Sequence, residues 1–156
     1  MIEVHDLAVL AEGSWPEPGD DLAAGPPGVP GFVGSAFSPL AAAAAGRCLE
    51  RRETPGETTG IVLVTSGDRV SAETVRRLVA DGKRVGPLHF FQSVSNSIAG
   101  WIAARWELRG PVVCVTDSGF DEAAVLIGDG DADQVLIVQV EADQASARIV
   151  SGGDPG

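Results

Sequence analysis

The sequence predicts a layered α/β fold, and three observations in the stretch 87–141 carry that prediction. Apolar residues recur at helical spacing over Ser95–Leu108, with Ile98, Trp101, Ile102 and Trp106 near one face and Asn96 or Ser97 as cap. Two short apolar runs, Val112–Thr116 and Val135–Val140, have the β-branched character of buried strands. The links between these pieces are tight. Arg109-Gly110-Pro111 breaks the first helix, and a second helix at Phe120–Gly128 runs into the turn Asp129-Gly130-Asp131. Helix, strand, helix, strand in close succession builds a sheet with helices packed on it.

The whole chain fits one domain over 1–150, since 156 residues suffice for a proper core. Ile2–Leu10 reads as the first strand, and its lone His5 as an exposed or hydrogen-bonded structural residue. A long loop over 11–37 follows, because it holds five of the ten prolines and six glycines. Trp15, Phe32 and Phe37 are placed to dock that loop on the body, with some disorder remaining. Ser38 as cap and Pro39 at the first helical position open a helix over Leu40–Arg52, whose basic end suits the helix dipole. Ile61–Thr65 is a buried strand, and Ser71 begins a helix that Gly82 ends. Val85–Phe91 is a candidate extended segment. Ala147–Val150 lies close enough to Val140 for an antiparallel hairpin, and a flexible tail follows at 151–156.

Charge narrows the function. Acidic residues outnumber basic ones by 22 to 11, and a net charge of −11 argues against nucleic acid or an anionic membrane as partner. Cys48 and Cys114 stand far apart, which suits neither a disulfide framework nor a metal site, and Cys114 reads as a buried thiol in its strand. No signal peptide or spanning segment is visible, so a cytoplasmic location is expected. Arg76, Arg77, Lys83 and Arg84 form the one dense basic cluster, readable as a solvated helix face or as a docking patch.

The run NSIAGWIAARWELRGPVVCVTDS resembles the N-terminal half of the β-ketoacyl synthases, which have the thiolase fold. Asn96, Ala99 and Gly100 match the family's helix pattern, and Leu108, Gly110 and Pro111 match the turn before the strand that leads to its catalytic cysteine. Gly130-Asp131-Ala132-Asp133 and the apolar run after it are similar to the family's next turn and core strand. The resemblance is good over 87–141 and only topological before that. It implies a single thiolase-like half, βαβαβαββ, with a mixed five-stranded sheet whose last strand is antiparallel. It also implies pairing through the third strand, to which Val85–Phe91 would correspond, and the helix after the nucleophile.

The family's chemistry does not carry over with the fold. Counted from Gly110-Pro111 without gaps, the nucleophile's position falls on Gly119, and Cys114 lies within the preceding strand. The segment from this elbow to the Gly130 turn is shorter than in the family, so the register there is loose by about a residue. Both catalytic histidines of the family belong to a second half with no counterpart here, and His89 matches neither. Asp117 and Ser118, with His89 or Asp121 as base, are the remaining candidates for catalysis, though Thr, Asp, Ser and Gly are also ordinary turn and cap residues. No glycine-rich phosphate loop follows a strand, and no cofactor or metal is implied.

Two functions follow from different classes. One is a non-catalytic, truncated ketosynthase-like partner subunit in polyketide or fatty-acid biosynthesis, pairing with itself or with a larger ketosynthase. The other is a small enzyme that acts on an acyl thioester or an acyl-carrier-protein substrate through a relocated site. An acidic acyl-carrier protein would meet the Arg76, Arg77, Lys83, Arg84 cluster in either case. A lone half is also expected to leave an apolar helical face open, with Ile98, Trp101, Ile102 and Trp106 as its interface candidates.

Overall fold

The computed structural model describes residues 6–32, 37–65, 96–141 and 143–152. In chain order the elements are β1 (Leu7–Trp15), α1 (Phe37–Glu50), a single 3-10 turn (Gly56–Thr58), β2 (Thr59–Val64), α2 (Asn96–Trp106), β3 (Val112–Val115), α3 (Gly119–Gly128), β4 (Gln134–Glu141) and β5 (Gln144–Gly152). The five strands form one sheet in the order β1-β5-β4-β2-β3. β2 runs parallel to both β3 and β4, whereas β5 is antiparallel to β4 and to β1. The expected mixed sheet, with its last strand antiparallel, is present. The helix expected over 71–82, the extended segment 85–91, His5 and His89 lie outside the described residues.

Burial on both faces explains the apolar runs in the middle of the sheet. Every residue of β2 is buried. Ile61 and Leu63 join Leu136, Val138 and Ile149 under α1 and α2, while Val62 and Val64 join Val135, Ile137 and Val150 under α3. Successive strand residues point to opposite faces, so a strand covered on both sides shows a continuous apolar run rather than alternation.

α1 presents small side chains to the sheet. Ala41, Ala44, Ala45 and Cys48 are wholly buried along one stripe, so the helix sits unusually low. It sits lowest over Gly13 in β1. A Cβ there would overlap the Cys48 backbone nitrogen and lie 2.7 Å from the Ala44 carbonyl oxygen and 2.9 Å from Arg47 Cβ. Only glycine lets the strand pass beneath the helix.

Four expectations need correction. The first strand is Leu7–Trp15 rather than Ile2–Leu10, so the loop expected from Ala11 starts after Trp15. Its register is fixed by β5, with Leu7 opposite Gly152 and Trp15 opposite Ala145. α1 begins at Phe37, which is buried, and this draws Ser38 into the first turn instead of leaving it as cap. Ser151 and Gly152, placed in the tail, are paired strand residues. Ile98 and Ile102, named as interface candidates, are 1% exposed within the chain's own core, because α2 turns them onto the sheet beside Ala99 and Leu108. Trp101 and Trp106 pack only partly against that core.

The loop after β1 docks as expected. Trp15, Val29, Phe32 and Phe37 are all buried in the cluster under α1 and α2.

Candidate functional site

The β3–α3 elbow is where the sequence places its candidate chemistry. β3 ends at Val115, and Thr116, Asp117 and Ser118 are exposed. Ser118 has φ 60 and ψ 40, a left-handed conformation that costs a non-glycine residue about 1–2 kcal/mol. The physical cause is the next residue. Gly119 lies flat on the sheet at the start of α3, and a Cβ on it would stand 2.5 Å from Val64 Cγ2 and 3.1 Å from Ile137 Cγ2. The chain must reverse within three residues to put it there, and Ser118 takes the strain. Its hydroxyl makes no cap hydrogen bond.

The elbow therefore offers no room for a side chain at Gly119, the position that the gapless count assigns to the nucleophile. Its described neighbours along the chain are also acidic. Asp121 and Glu122 stand in the first turn of α3, starting three residues beyond the exposed Asp117 and Ser118 pair. Carboxylates suit a helix N-terminus, but they disfavour a thiolate or alkoxide beside them. The two cysteines are no better placed. Cys48 is buried in α1, and loss of solvent pushes its thiol up to about 11. Cys114 in β3 is half-buried rather than buried, and burial raises its thiol as well. Neither is a thiolate at neutral pH.

A cysteine introduced at the elbow is accordingly expected to disturb the fold rather than restore chemistry. Gly119→Cys should lower stability by about 1–3 kcal/mol, the usual cost of overpacking a filled site. Denaturant titration checks this, and an unchanged midpoint would show that the elbow has space after all.

His89 and the Arg76, Arg77, Lys83, Arg84 cluster lie outside the described residues, and Asp121, the other candidate base for Ser118, stands in the first turn of α3. Among the described residues, no three His, Cys, Asp or Glu side chains are placed to hold a metal ion. No helix among them is long and apolar enough to cross a membrane.

A second polar constellation was not anticipated from the sequence. It lies at the opposite edge of the sheet, where Arg47 of α1 and Arg51, the residue just past its end, reach over β1. Arg47 holds Asp20 through both guanidinium nitrogens, at 2.6 and 2.7 Å, and donates to the Ser14 carbonyl at 2.8 Å. One turn later Arg51 holds Glu17 in the same way, at 2.8 and 2.6 Å, and donates to the Glu12 carbonyl at 2.9 Å. Glu17 in turn accepts from the Ser14 amide at 3.1 Å, and Asp20 accepts from the Glu17 amide at 2.6 Å. The Arg47 guanidinium also lies over the Trp15 ring, 4.9 Å from its centre. Beside this clamp runs an open groove of about 560 Å³, lined by Trp15, Pro16, Leu22, Pro26, Leu40 and Gln144 among others.

The clamp sets an acid limit. Hydrogen bonding from Arg47 lowers Asp20 from the ordinary 3.8 to about 2, and Arg51 lowers Glu17. A depressed carboxyl contributes its stability above its unfolded value and loses it as pH falls through the folded one. The clamp should therefore hold at pH 4.5 and release near pH 2. Emission from Trp15, in a chain with Trp101→Phe and Trp106→Phe, reports the release. A change already complete at pH 4 would contradict it.

No protein-family model matches the chain, and no curated protein matches it. Solved structures do. A chain of the ketosynthase ApeO in complex with its chain length factor ApeC, from Xenorhabdus doucetiae, aligns with a TM-score of 0.72 at 18% identity. That match takes in 96% of this chain and 80% of the other. A chain of the ishigamide ketosynthase/chain length factor aligns at 0.71 and 22% identity, over 89% of this chain and 49% of that one. A chain of the AntDE:AntF complex, a type II polyketide acyl-carrier protein with its ketosynthase, aligns at 0.66 and 13% identity, over 94% and 62%. The chain thus spans about half of the second and less than two thirds of the third. At these identities the likeness establishes the fold: a single thiolase-type half of the kind found in ketosynthase and chain-length-factor chains.

Proposed function

We propose that this chain is a ketosynthase-like accessory subunit without condensing activity, a single cytoplasmic domain that pairs with a larger ketosynthase, or with itself, in polyketide or fatty-acid assembly. The observation that carries the reading is the elbow: the position matching the nucleophile is a glycine whose Cβ would fall on Val64 and Ile137. A fold of this kind without its nucleophile is left with its surfaces. Of the four exposed large apolar side chains among the described residues, Val125 lies on α3, the helix after the nucleophile position through which the resembling family pairs, and Val112 lies on β3, the strand just before it and an edge strand of the described sheet. The match to the Xenorhabdus doucetiae complex supports the same reading. It takes in four fifths of that chain, so a chain of comparable size to this one stands in a complex of a ketosynthase with a chain length factor.

Binding of an acidic acyl-carrier protein through Arg76, Arg77, Lys83 and Arg84 belongs to this proposal, and reversing those four charges without loss of carrier binding would remove it.

One observation favours the enzyme alternative. Ser118 is exposed on a strained strand-to-helix turn, and its hydroxyl is not used as a cap. Asp117 and His89 are the other residues of that reading. Intact mass after incubation with acyl thioesters and acylated carrier proteins separates the two functions. An unchanged mass and unchanged substrate, with a stable complex on co-expression with a ketosynthase, is the expected result. An acyl adduct mapped to Ser118 would overturn it.

A further inference from the structure

Strand addition needs a row of outward-facing backbone amides and carbonyls, and a sheet has two edges that can offer one. At the β1 edge this row is already occupied. In an antiparallel pair alternate residues turn their amide and carbonyl away from the partner strand. In β1 these include Glu12 and Ser14, whose neighbour on the inner side is β5. The Glu12 carbonyl accepts from Arg51, the Ser14 carbonyl accepts from Arg47, and the Ser14 amide donates to Glu17. Each capping side chain is itself fixed. Arg47 and Arg51 are tied by paired contacts to Asp20 and Glu17, and they stand in the last turn and just past the end of a helix that Gly13 lets down onto the strand. Further along β1, a register shift between Val9 and Ala11 breaks the ladder again.

We infer that the Arg47–Asp20 and Arg51–Glu17 clamp is an edge cap: it closes β1 to strand addition by a second copy of this chain. Assembly is then confined to other surfaces and stops at a closed complex instead of growing along the sheet. The inference does not rest on the pairing proposed above, since it concerns the opposite edge. A surface guanidinium–carboxylate pair adds little to stability when exposed, which makes two bidentate pairs aimed at one strand edge an extravagant way to hold a loop. Occupying backbone acceptors is the role in which their geometry matters.

The test removes the donors and keeps the packing. In a chain carrying Val112→Glu and Val125→Glu, to silence the other surface, Arg47→Met and Arg51→Met retain the aliphatic stems over Trp15 and β1. Sedimentation over a concentration series should show self-association strengthened by roughly a hundredfold, the effect of freeing two or three strand hydrogen bonds. Adding Ser14→Pro, which deletes the outward amide, should return the chain to a monomer. Two results would overturn the inference: a clampless chain that stays monomeric, whether folded or not, or association that Ser14→Pro leaves unchanged. Hydrogen exchange at the Ser14 amide gives a second reading. It should speed up in the dilute clampless chain and slow again on association. Equal rates with and without the clamp would also overturn the inference.

Discussion

Gly13→Ala is expected to cost about 3 kcal/mol, the upper end of what overpacking does in a closed core. What the added methyl meets is backbone. The Cys48 nitrogen and the Ala44 carbonyl oxygen belong to the backbone of the second half of α1 and cannot swing aside as a side-chain end would. The helix must lift, and lifting it opens the layer of Ala41, Ala44, Ala45 and Cys48 along its whole length. It also carries Arg47 and Arg51 away from the carbonyls they cap. The melting temperature should fall by roughly 6–12 °C, taking 2–4 °C per kcal/mol for a domain of this size. Gly100→Ala is the matching control. Gly100 is exposed in α2 with no atom of the described residues within 4 Å of the added methyl, so this change should stabilise the chain by about 0.5–1 kcal/mol. Equal effects from the two substitutions would show that α1 does not rest on Gly13.

The second large effect concerns association. Val112→Glu with Val125→Glu should leave the isolated chain folded, because the two valines are 40% and 53% exposed in it. In a complex through β3 and α3 the same carboxylates would be buried without partners. One uncompensated charge at an interface costs about 2–5 kcal/mol. Together they should weaken pairing at least about a thousandfold. Native mass and sedimentation, for the chain alone and with a ketosynthase, measure this against Val9→Glu. Val9 is 47% exposed but lies on β1, so that change should leave pairing intact. Pairing that survives the double substitution, or is lost with Val9→Glu, would place the interface elsewhere.

What the sequence made legible was local. From α2 to β4 the elements fall within one or two residues of their expected bounds, because periodicity, the Arg109-Gly110-Pro111 break and the Asp129 turn are all written in adjacent residues. The hairpin of β4 and β5 was legible for the same reason. β1 was not. Its outer half, Ala11 to Trp15, reads as loop because Gly13 and Ser14 have low strand propensity, and the reason for each lies elsewhere in the chain. Gly13 answers to α1, and Ser14 to Glu17 and Arg47. The helix face of Ile98 and Ile102 was misjudged on similar grounds. A stripe of apolar residues shows that something covers it, and only the packing shows that the cover is the chain's own sheet. At the elbow a gapless count from Gly110-Pro111 puts the nucleophile's position on Gly119. That Gly119 is also sterically closed is a property of Val64 and Ile137, which lie far from it along the chain.

The strand order has a consequence for how the protein is made. β5 lies between β1 and β4, so the last of the five described strands is inserted into the sheet rather than added at its rim. Glu12 and its cross-strand partner Arg148 are separated by 136 residues, whereas Arg47 and Arg51 stand 33 and 39 residues from the carbonyls they hold. At about 5–20 residues per second, a ribosome leaves β1 without its neighbour strand for on the order of ten seconds after its clamp can close. During that interval α1 and its arginines cover the outer rim of β1, while its inner rim waits for Gln144–Gly152 to emerge. The nascent chain is thus screened on the side where a stranger could attach and left open on the side reserved for its own final strand.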